Sequence, residues 1–145
     1  TAMRLNGTVH DLAELGLSYA PPFSSAKDPV NMAGFVAQNV LHGHADIWKL
    51  DDWEHVDLAQ IQLVDVRTET EHLNGAIPGS INIPVDELRS RLDELDPAKP
   101  VWVYCQVGLR GYTALRILTQ AGFKVRNLTG GYKSYAASQF KPDTK

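Results

Sequence analysis

The sequence predicts an α/β domain with a central, mostly parallel five-stranded sheet and helices on both of its faces. Strand-like runs alternate along the chain with helical patterns, and this order is typical of a parallel sheet with crossover helices. The run VWVYC (101–105) has continuous rather than alternating hydrophobic character, as expected for a strand covered on both faces. Together these observations favour a sheet buried between two helical layers.

The predicted elements follow one another from about residue 47. Four segments are predicted as strands from their short apolar runs: residues 61–67, 81–83, 101–105 and 124–128. Four segments are predicted as helices: residues 68–75, 85–95, 109–122 and a last segment after Gly130 and Gly131. The helix over 85–95 rests on apolar residues spaced three, four and three positions apart, namely Val85, Leu88, Leu92 and Leu95. Gly75 and Gly122 are predicted to end the helices before them.

Residues 1–45 differ in character from the rest of the chain. The stretch DLAELGL (11–17) predicts a short helix, and two prolines at 21 and 22 predict extended backbone. A longer helix is predicted over residues 28–43, with Asp28 as its N-cap, Pro29 at its first position and Gly43 at its end. Its apolar arc is wide, so we expect exposed faces of 28–42 to pack against another chain or against the domain itself. We therefore divide the chain into residues 1–45 and 46–145.

Composition limits the classes of function. The formal net charge is −3 and no basic run occurs, which argues against a nucleic-acid surface. No apolar stretch approaches the roughly 18 residues of a membrane-spanning helix, and the N-terminus lacks the layout of a signal peptide. The single cysteine cannot form an internal disulfide, which fits a reducing compartment. We therefore expect a cytoplasmic protein that binds neither nucleic acid nor membrane.

That cysteine, Cys105, stands between a predicted strand and a predicted helix, in the loop CQVGLRG (105–111). Gly108 and Gly111 permit a tight turn in which successive backbone N–H groups converge on an anion. The helix N-terminus and Arg110 would both favour the nucleophilic thiolate. A thiolate that attacks sulfur needs no general base. The alternative is that Cys105 is only a small buried apolar residue at a strand end.

These residues resemble the active loop of the rhodanese family, which has Cys-x-x-Gly-x-Arg after a buried strand. The segments LVDVRTETEHLNGAIPGSINIP (63–84) and LTGGYKSY (128–135) resemble two further motifs of that family, and all three stand in the family's order. The resemblance covers roughly residues 47–140. It implies a rhodanese-like α/β sulfurtransferase in which Cys105 is catalytic and carries a persulfide. It also implies that the loop stabilises the transferred sulfur through residues Gln106, Val107, Gly108, Leu109, Arg110 and Gly111.

Two other functions stay open at this point. Related phosphatases and arsenate reductases have five residues between cysteine and arginine, whereas four lie between Cys105 and Arg110. The shorter loop suits a sulfur atom better than a phosphoryl group. The second alternative is a rhodanese-like module that binds or docks without turnover, which the intact cysteine loop argues against.

The loop has an uncharged rim formed by Gln106, Val107 and Leu109, which favours a small thiol persulfide or polysulfide over the thiosulfate dianion. Arg110 either contacts substrate or ties the loop to nearby carbonyls and carboxylates. The resemblance suggests that Asp65 and Arg67 support the loop or line the pocket.

For several other polar and aromatic residues, the sequence offers or favours a structural role. The alternative for Asp65 and Arg67 is a capping and surface pair. His72 is predicted to be structural rather than catalytic. No metal site is predicted, because His42, His44 and His55 lack further ligands. Three tryptophans are predicted to pack in the interior: Trp48, Trp53 and Trp102.

The N-terminal stretch LGLSYAPPFSSAKDPVNMAGFVAQN (15–39) carries a second resemblance. It resembles the C-terminal end of the dimerisation domain of pyridine nucleotide-disulfide oxidoreductases, in particular coenzyme A disulfide reductases and NADH-dependent persulfide reductases. The resemblance implies a C-terminal piece of a longer homodimeric enzyme that uses FAD, NADH and coenzyme A. Tyr19 matches a tyrosine that lies near the redox cysteine and coenzyme A in that branch. The chain has no Gly-x-Gly-x-x-Gly motif, so we expect no cofactor to bind to it unaided.

Overall fold

A computed structural model of the chain describes residues 2–17 and 28–140. The chain divides into two compact units, Thr1–His44 and Ala45–Lys145. Tyr19, the predicted neighbour of coenzyme A, lies outside the described residues. No helix in the described part of the chain is both long enough and apolar enough to cross a membrane.

The described residues of the first unit form the helices α1 (Val9–Glu14) and α2 (Pro29–Leu41), after a 3₁₀ turn at Met3–Leu5. The predicted long helix is confirmed, and Asp28 occupies its N-cap position with extended backbone. The helices approach so closely that a Cβ atom on Gly34 would lie 2.5 Å from the backbone nitrogen of Ala13. Asn31 is buried and donates to carbonyl oxygens at the C-terminal end of α1, those of Leu12, Ala13 and the C-cap Leu15, at 3.0–3.2 Å.

The apolar face of α2 is therefore not the face that meets α1. Side chains on it stay exposed, including Val30, Met32, Val36 and Leu41. The close contact between α1 and α2 depends on two other residues of α2. Gly34 lets the two backbones approach, and the side-chain amide of Asn31 satisfies carbonyls at the end of α1. Packing of the apolar face against another chain stays a prediction.

The second unit contains a five-stranded, all-parallel sheet, which confirms the predicted fold class. Its strands are β1 (Ile47–Trp48), β2 (Gln62–Asp65), β3 (Ile81–Asn82), β4 (Val101–Tyr104) and β5 (Val125–Leu128). Their order across the sheet is β1-β5-β4-β2-β3. The helices are α3 (Leu50–Trp53), α4 (Glu69–Leu73), α5 (Leu109–Gln120) and α6 (Gly131–Ser138). The two-residue strand β1 is the one that the sequence pattern did not place.

Alternate residues of the central strand β4 serve two separate hydrophobic clusters. One cluster contains Val101 and Val103 together with Leu115 and Leu118 of α5. The other contains Trp102 and Tyr104 together with Trp48 and with Tyr135 of α6. Because side chains of a strand alternate between faces, helices cover the sheet on both sides. The tryptophans pack in the interior as predicted, with Trp53 partly buried against the second cluster.

The predicted helix over residues 85–95 is wrong. Two short 3₁₀ turns, Leu88–Ser90 and Leu92–Glu94, replace it, and Arg91 separates them with φ −123°. Backbone hydrogen bonds there reach three residues back, as from Arg91 to Leu88 and from Leu95 to Leu92. Such turns also return apolar residues to one side at intervals of three, so the spacing that predicted an α-helix is satisfied without one.

Candidate active site

Cys105 follows β4 directly, and its side chain is only 1% exposed. The backbone N–H of Gly108 donates to Sγ of Cys105 at 3.1 Å. Gly108 has φ +145°, a conformation that residues with a Cβ atom rarely adopt, and it is the N-cap of α5. The chain thus turns at this glycine from the strand into the helix and directs an amide at the sulfur.

The N-terminus of α5 adds to this environment. The first N–H groups of a helix have no partner within the helix, and the aligned peptide dipoles place about half a positive charge there. The helix begins at Leu109, four residues after Cys105. Both effects favour negative charge on a sulfur atom at this position.

Backbone hydrogen bonds from the start of α6 hold the cysteine loop in place. The N–H of Tyr132 donates to the carbonyl oxygen of Cys105 at 2.7 Å, and the N–H of Lys133 donates to that of Gln106 at 3.1 Å. In a trans peptide the carbonyl and the next N–H point in opposite directions. The amides that follow these two carbonyls, those of Gln106 and Val107, therefore point away from α6.

Gly131 makes this close approach possible. Its φ is +62°, and a Cβ atom there would lie 2.5 Å from the carbonyl oxygen of Cys105 and 2.7 Å from the nitrogen of Val107. Gly111 meets a different neighbour, because a Cβ atom there would collide with the side chain of Asn127 in β5. Asn127 also donates from Nδ2 to the carbonyl oxygen of Gly108 at 3.2 Å.

Arg110 makes a two-pronged ion pair with Glu71 of α4. Both terminal nitrogens donate to the carboxylate, each at 2.7 Å. These hydrogen bonds are the main reason that the pKa of Glu71 falls to about 2 and that the pKa of Arg110 lies above its usual value. Of the two roles that the sequence left open for Arg110, the geometry favours a brace between α4 and α5.

Asp65 and Arg67 form a buried pair at the end of β2, with exposed fractions of 0% and 2%. The alternative of a surface pair is therefore wrong. Arg67 donates from Nε and from a terminal nitrogen to the carboxylate of Asp65 at 2.7–3.1 Å. Burial opposes the ionisation of Asp65, but hydrogen bonds from Arg67 and from His72 outweigh it and keep the pKa of Asp65 below its usual value.

Arg67 links this pair to the cysteine loop. It donates to the side-chain oxygen of Gln106 at 3.3 Å and to the carbonyl oxygen of Gly75 at 2.7 Å. Its guanidinium lies 4.0 Å from the ring centroid of Tyr132, at the start of α6. Cation–π contacts of this kind add to the ion pair. Within the described residues, the side chain of His72 meets the site through Asp65, with Nδ1 2.9 Å from the carboxylate, which is consistent with a structural role.

Two apolar side chains of the loop face solvent. Val107 is 58% exposed and Leu109 is 73% exposed, whereas Gln106 is half-buried by its contact with Arg67. No cluster of three His, Cys, Asp or Glu side chains suited to a metal ion occurs within residues 2–17 and 28–140.

Sequence reasoning missed three residues of this site. Glu71 has a local signal, because Thr68 and Glu71 form a capping box at the start of α4, but that signal does not reveal Arg110 as its partner. Tyr132 and Asn127 have no local signal, since only the folded chain brings them to the loop.

Comparisons with known proteins agree with this geometry. The family model of the rhodanese-like domain matches residues 46–138. The reduced CoADR-RHD of Bacillus anthracis is 48% identical with a TM-score of 0.87, over 93% of this chain and 24% of that one. A NAD-dependent persulfide reductase from A. fulgidus is 41% identical with a TM-score of 0.75, over 90% of this chain and 23% of that one. The thiosulfate sulfurtransferase GlpE of Coxiella burnetii is 30% identical over 95 residues, which are 65% of this chain and 89% of that relative. The chain thus spans about a quarter of the two solved chains.

Proposed function

The chain belongs to the rhodanese-like domain family, and from this premise we propose that its sulfurtransferase site carries sulfane sulfur as a persulfide on Cys105. One observation carries the proposal, namely the N–H of Gly108 that donates to Sγ of Cys105 at 3.1 Å at the start of α5. An amide and a helix N-terminus together stabilise the thiolate before transfer and the terminal sulfur after it.

The chemistry requires only the movement of electron pairs between sulfur atoms. In loading, the thiolate of Cys105 attacks the outer sulfur of a donor R–S–SH. A bond forms between Sγ and that sulfur, the donor S–S bond breaks, and the thiolate R–S⁻ leaves and takes up a proton. In unloading, an acceptor thiolate attacks the sulfur on Cys105 and regenerates the enzyme thiolate. Neither step consumes an oxidant or a reductant.

We assign the supporting roles from the contacts. The loop residues 106–111 hold the transferred sulfur through their backbone, with Gly108 in direct contact with Sγ. Asp65 and Arg67 keep the loop in place through Gln106. Val107 and Leu109 form an apolar rim that suits the organic part of a small thiol persulfide or polysulfide.

A phosphatase or arsenate reductase fits the site less well. Such an enzyme needs an arginine that faces the tetrahedral substrate, but Arg110 is occupied by Glu71 at 2.7 Å. The four intervening residues also leave a narrower loop than the five of those enzymes.

We further propose that the chain works within a longer homodimeric reductase that uses FAD, NADH and coenzyme A. The lengths of the two solved relatives, about four times that of the matched region, support this assignment. The chain lacks the glycine-rich dinucleotide motif, so its own residues do not fit FAD or NADH and we derive no step through either. Tyr19 is the candidate neighbour of coenzyme A. Oxidation of NADH by the longer protein in the presence of a persulfide tests this assignment.

Intact-mass measurement tests the sulfur-carrier role directly. After incubation with glutathione persulfide, the wild type should gain the mass of one sulfur atom, and Cys105→Ala should gain none. Addition of cyanide should remove the sulfur and yield thiocyanate. A wild type that gains no mass, with cyanide and thiol acceptors equally inert, would instead indicate a binding module.

A further inference from the structure

Glu71 holds the guanidinium of Arg110 in a fixed position. Besides the two hydrogen bonds from Arg110, the carboxylate accepts from the N–H and the hydroxyl of Thr68, each at 3.0 Å. The pair therefore joins the start of α4 to the start of α5. Both side chains are about one-third exposed, at 33% for Glu71 and 34% for Arg110.

The pair cancels the charge of the arginine in the cysteine loop. Because the pKa of Glu71 is lowered to about 2, chiefly by the hydrogen bonds from Arg110, its carboxylate is ionised at neutral pH. Arg67 is balanced in the same way by Asp65. The two arginines at the site therefore add no net charge beside Cys105, and its anion is stabilised by the Gly108 amide and the start of α5.

We propose that Glu71 is a specificity-determining residue, which disfavours dianionic sulfur donors by neutralising Arg110. The inference rests on the proposed sulfurtransferase function. A thiol persulfide R–S–SH brings no charge on its sulfur atoms, and its organic part can lie against Val107 and Leu109. Thiosulfate brings two negative charges, and no net positive charge compensates them while Glu71 pairs with Arg110.

Thiosulfate and a persulfide load Cys105 by equivalent steps, so they can be compared directly. The thiolate attacks the sulfane sulfur of thiosulfate, the S–S bond breaks, and sulfite leaves with the electron pair. The donors differ in charge and in the leaving group, while the Cys105–sulfur product is the same. The ratio of their kcat/KM values in one variant, relative to the same ratio in the wild type, therefore isolates the contribution of the protein.

Glu71→Gln tests the proposal. Glutamine fits a capping box and has the shape of glutamate, but it leaves the charge of Arg110 uncompensated. We expect kcat/KM for thiosulfate to rise about tenfold relative to that for glutathione persulfide, because one partly screened unit charge is worth about that factor. Glu69→Gln is the matched control, since it removes the same charge from the same helix at an exposed position. The control should change the ratio less than about twofold.

A second variant keeps the proposal falsifiable if Glu71→Gln folds poorly. Arg110→Gln leaves the carboxylate of Glu71 without its cation, so kcat/KM for thiosulfate should fall relative to that for glutathione persulfide. In the double variant Glu71→Gln/Arg110→Gln, this ratio should return towards the wild-type value, because neither charge is present. An unchanged ratio in both single variants, or an equal gain in Glu69→Gln, overturns the inference. Intact-mass measurement distinguishes failure of this inference from failure of the proposed function. If Cys105 gains sulfur but the ratio of kcat/KM values does not change, only the role of Glu71 is refuted. If neither donor adds sulfur to Cys105, the proposed function is refuted.

Discussion

At the scale of single residues, Arg67 connects several parts of the site. It is 2% exposed, and its guanidinium contacts the Asp65 carboxylate, the Gly75 carbonyl, the side chain of Gln106 and the ring of Tyr132. Arginine suits this position because its planar fork offers several donors and stacks on aromatic faces. A buried guanidinium thereby holds the end of β2, the cysteine loop and the start of α6 together.

Arg67→Ala should destabilise the protein strongly. The substitution leaves Asp65 buried without its main partner, and the loss of one member of a buried ion pair costs about 3–5 kcal/mol. The free energy of unfolding in urea, followed by tryptophan fluorescence, measures the effect. Arg91→Ala is the control, because Arg91 pairs with Glu87 and Glu94 at the surface, where water screens the charges, and its loss should change stability far less. Equal effects of the two substitutions would contradict the assignment.

At the scale of elements, the site depends on how α6 docks onto the turn between β4 and α5. The first amides of α6 bind the carbonyls of Cys105 and Gln106, and this contact requires the backbones to come very close at Gly131. The cysteine loop is thus shaped by a helix that follows it by about twenty residues. These contacts hold the loop in the conformation that directs the amide of Gly108 at the sulfur.

Gly131→Ala should both destabilise the protein and impair sulfur transfer. The new Cβ atom would meet backbone atoms of Cys105, Gln106 and Val107 at 2.5–2.7 Å, so the loop must shift. Gly122→Ala separates this clash from backbone strain, because Gly122 also has a positive φ, +91°, but has open space around it. The control should cost about 1–2 kcal/mol and leave transfer intact, whereas Gly131→Ala should slow persulfide loading about tenfold or more. Loading at the same rate in both variants would show that α6 does not shape the loop.

At the scale of the whole molecule, the ion pairs make the free energy of unfolding depend on pH in the acid range. Within residues 45–140, the carboxyl groups of Asp65, Glu71 and Glu94 have a pKa below the usual value. A group whose pKa is lower in the folded state stabilises it above the unfolded pKa, and this contribution is lost as the pH falls through the folded pKa. Stability should therefore decline below about pH 4.5.

Glu71→Gln should remove part of the stability that the protein loses at low pH. The pKa of Glu71 falls from its usual value of 4.5 to about 2. The difference in unfolding free energy between wild type and variant should therefore reach its full value above pH 5. It should shrink as the pH falls through 2, below which both side chains are uncharged. After allowance for solvent screening, we expect about 1 kcal/mol at neutral pH. Tryptophan fluorescence is a suitable probe, because all three tryptophans lie in the unit Ala45–Lys145. A difference that does not change with pH would contradict this account.

The sequence by itself determined the α/β class, the position of Cys105 at the end of a strand, and the glycine turn into a helix. These features depend on local rules: apolar runs predict strands, periodic apolar residues predict helices, and a tight turn requires glycine. The helix predicted over 85–95 shows the limit of such rules, because two 3₁₀ turns bury Leu88 and Leu95 equally well.

Only the tertiary structure decided which groups meet at the site. The order β1-β5-β4-β2-β3 places β2 beside β4, so the segment after β2 comes close to the cysteine loop. Arg110 thereby finds Glu71, and Arg67 finds Gln106, in each case 39 residues away along the chain. No periodicity or spacing encodes such pairings, because they depend on which strands become neighbours. The sequence therefore predicted Cys105 as the nucleophile, and the sheet order determined the charges that surround it.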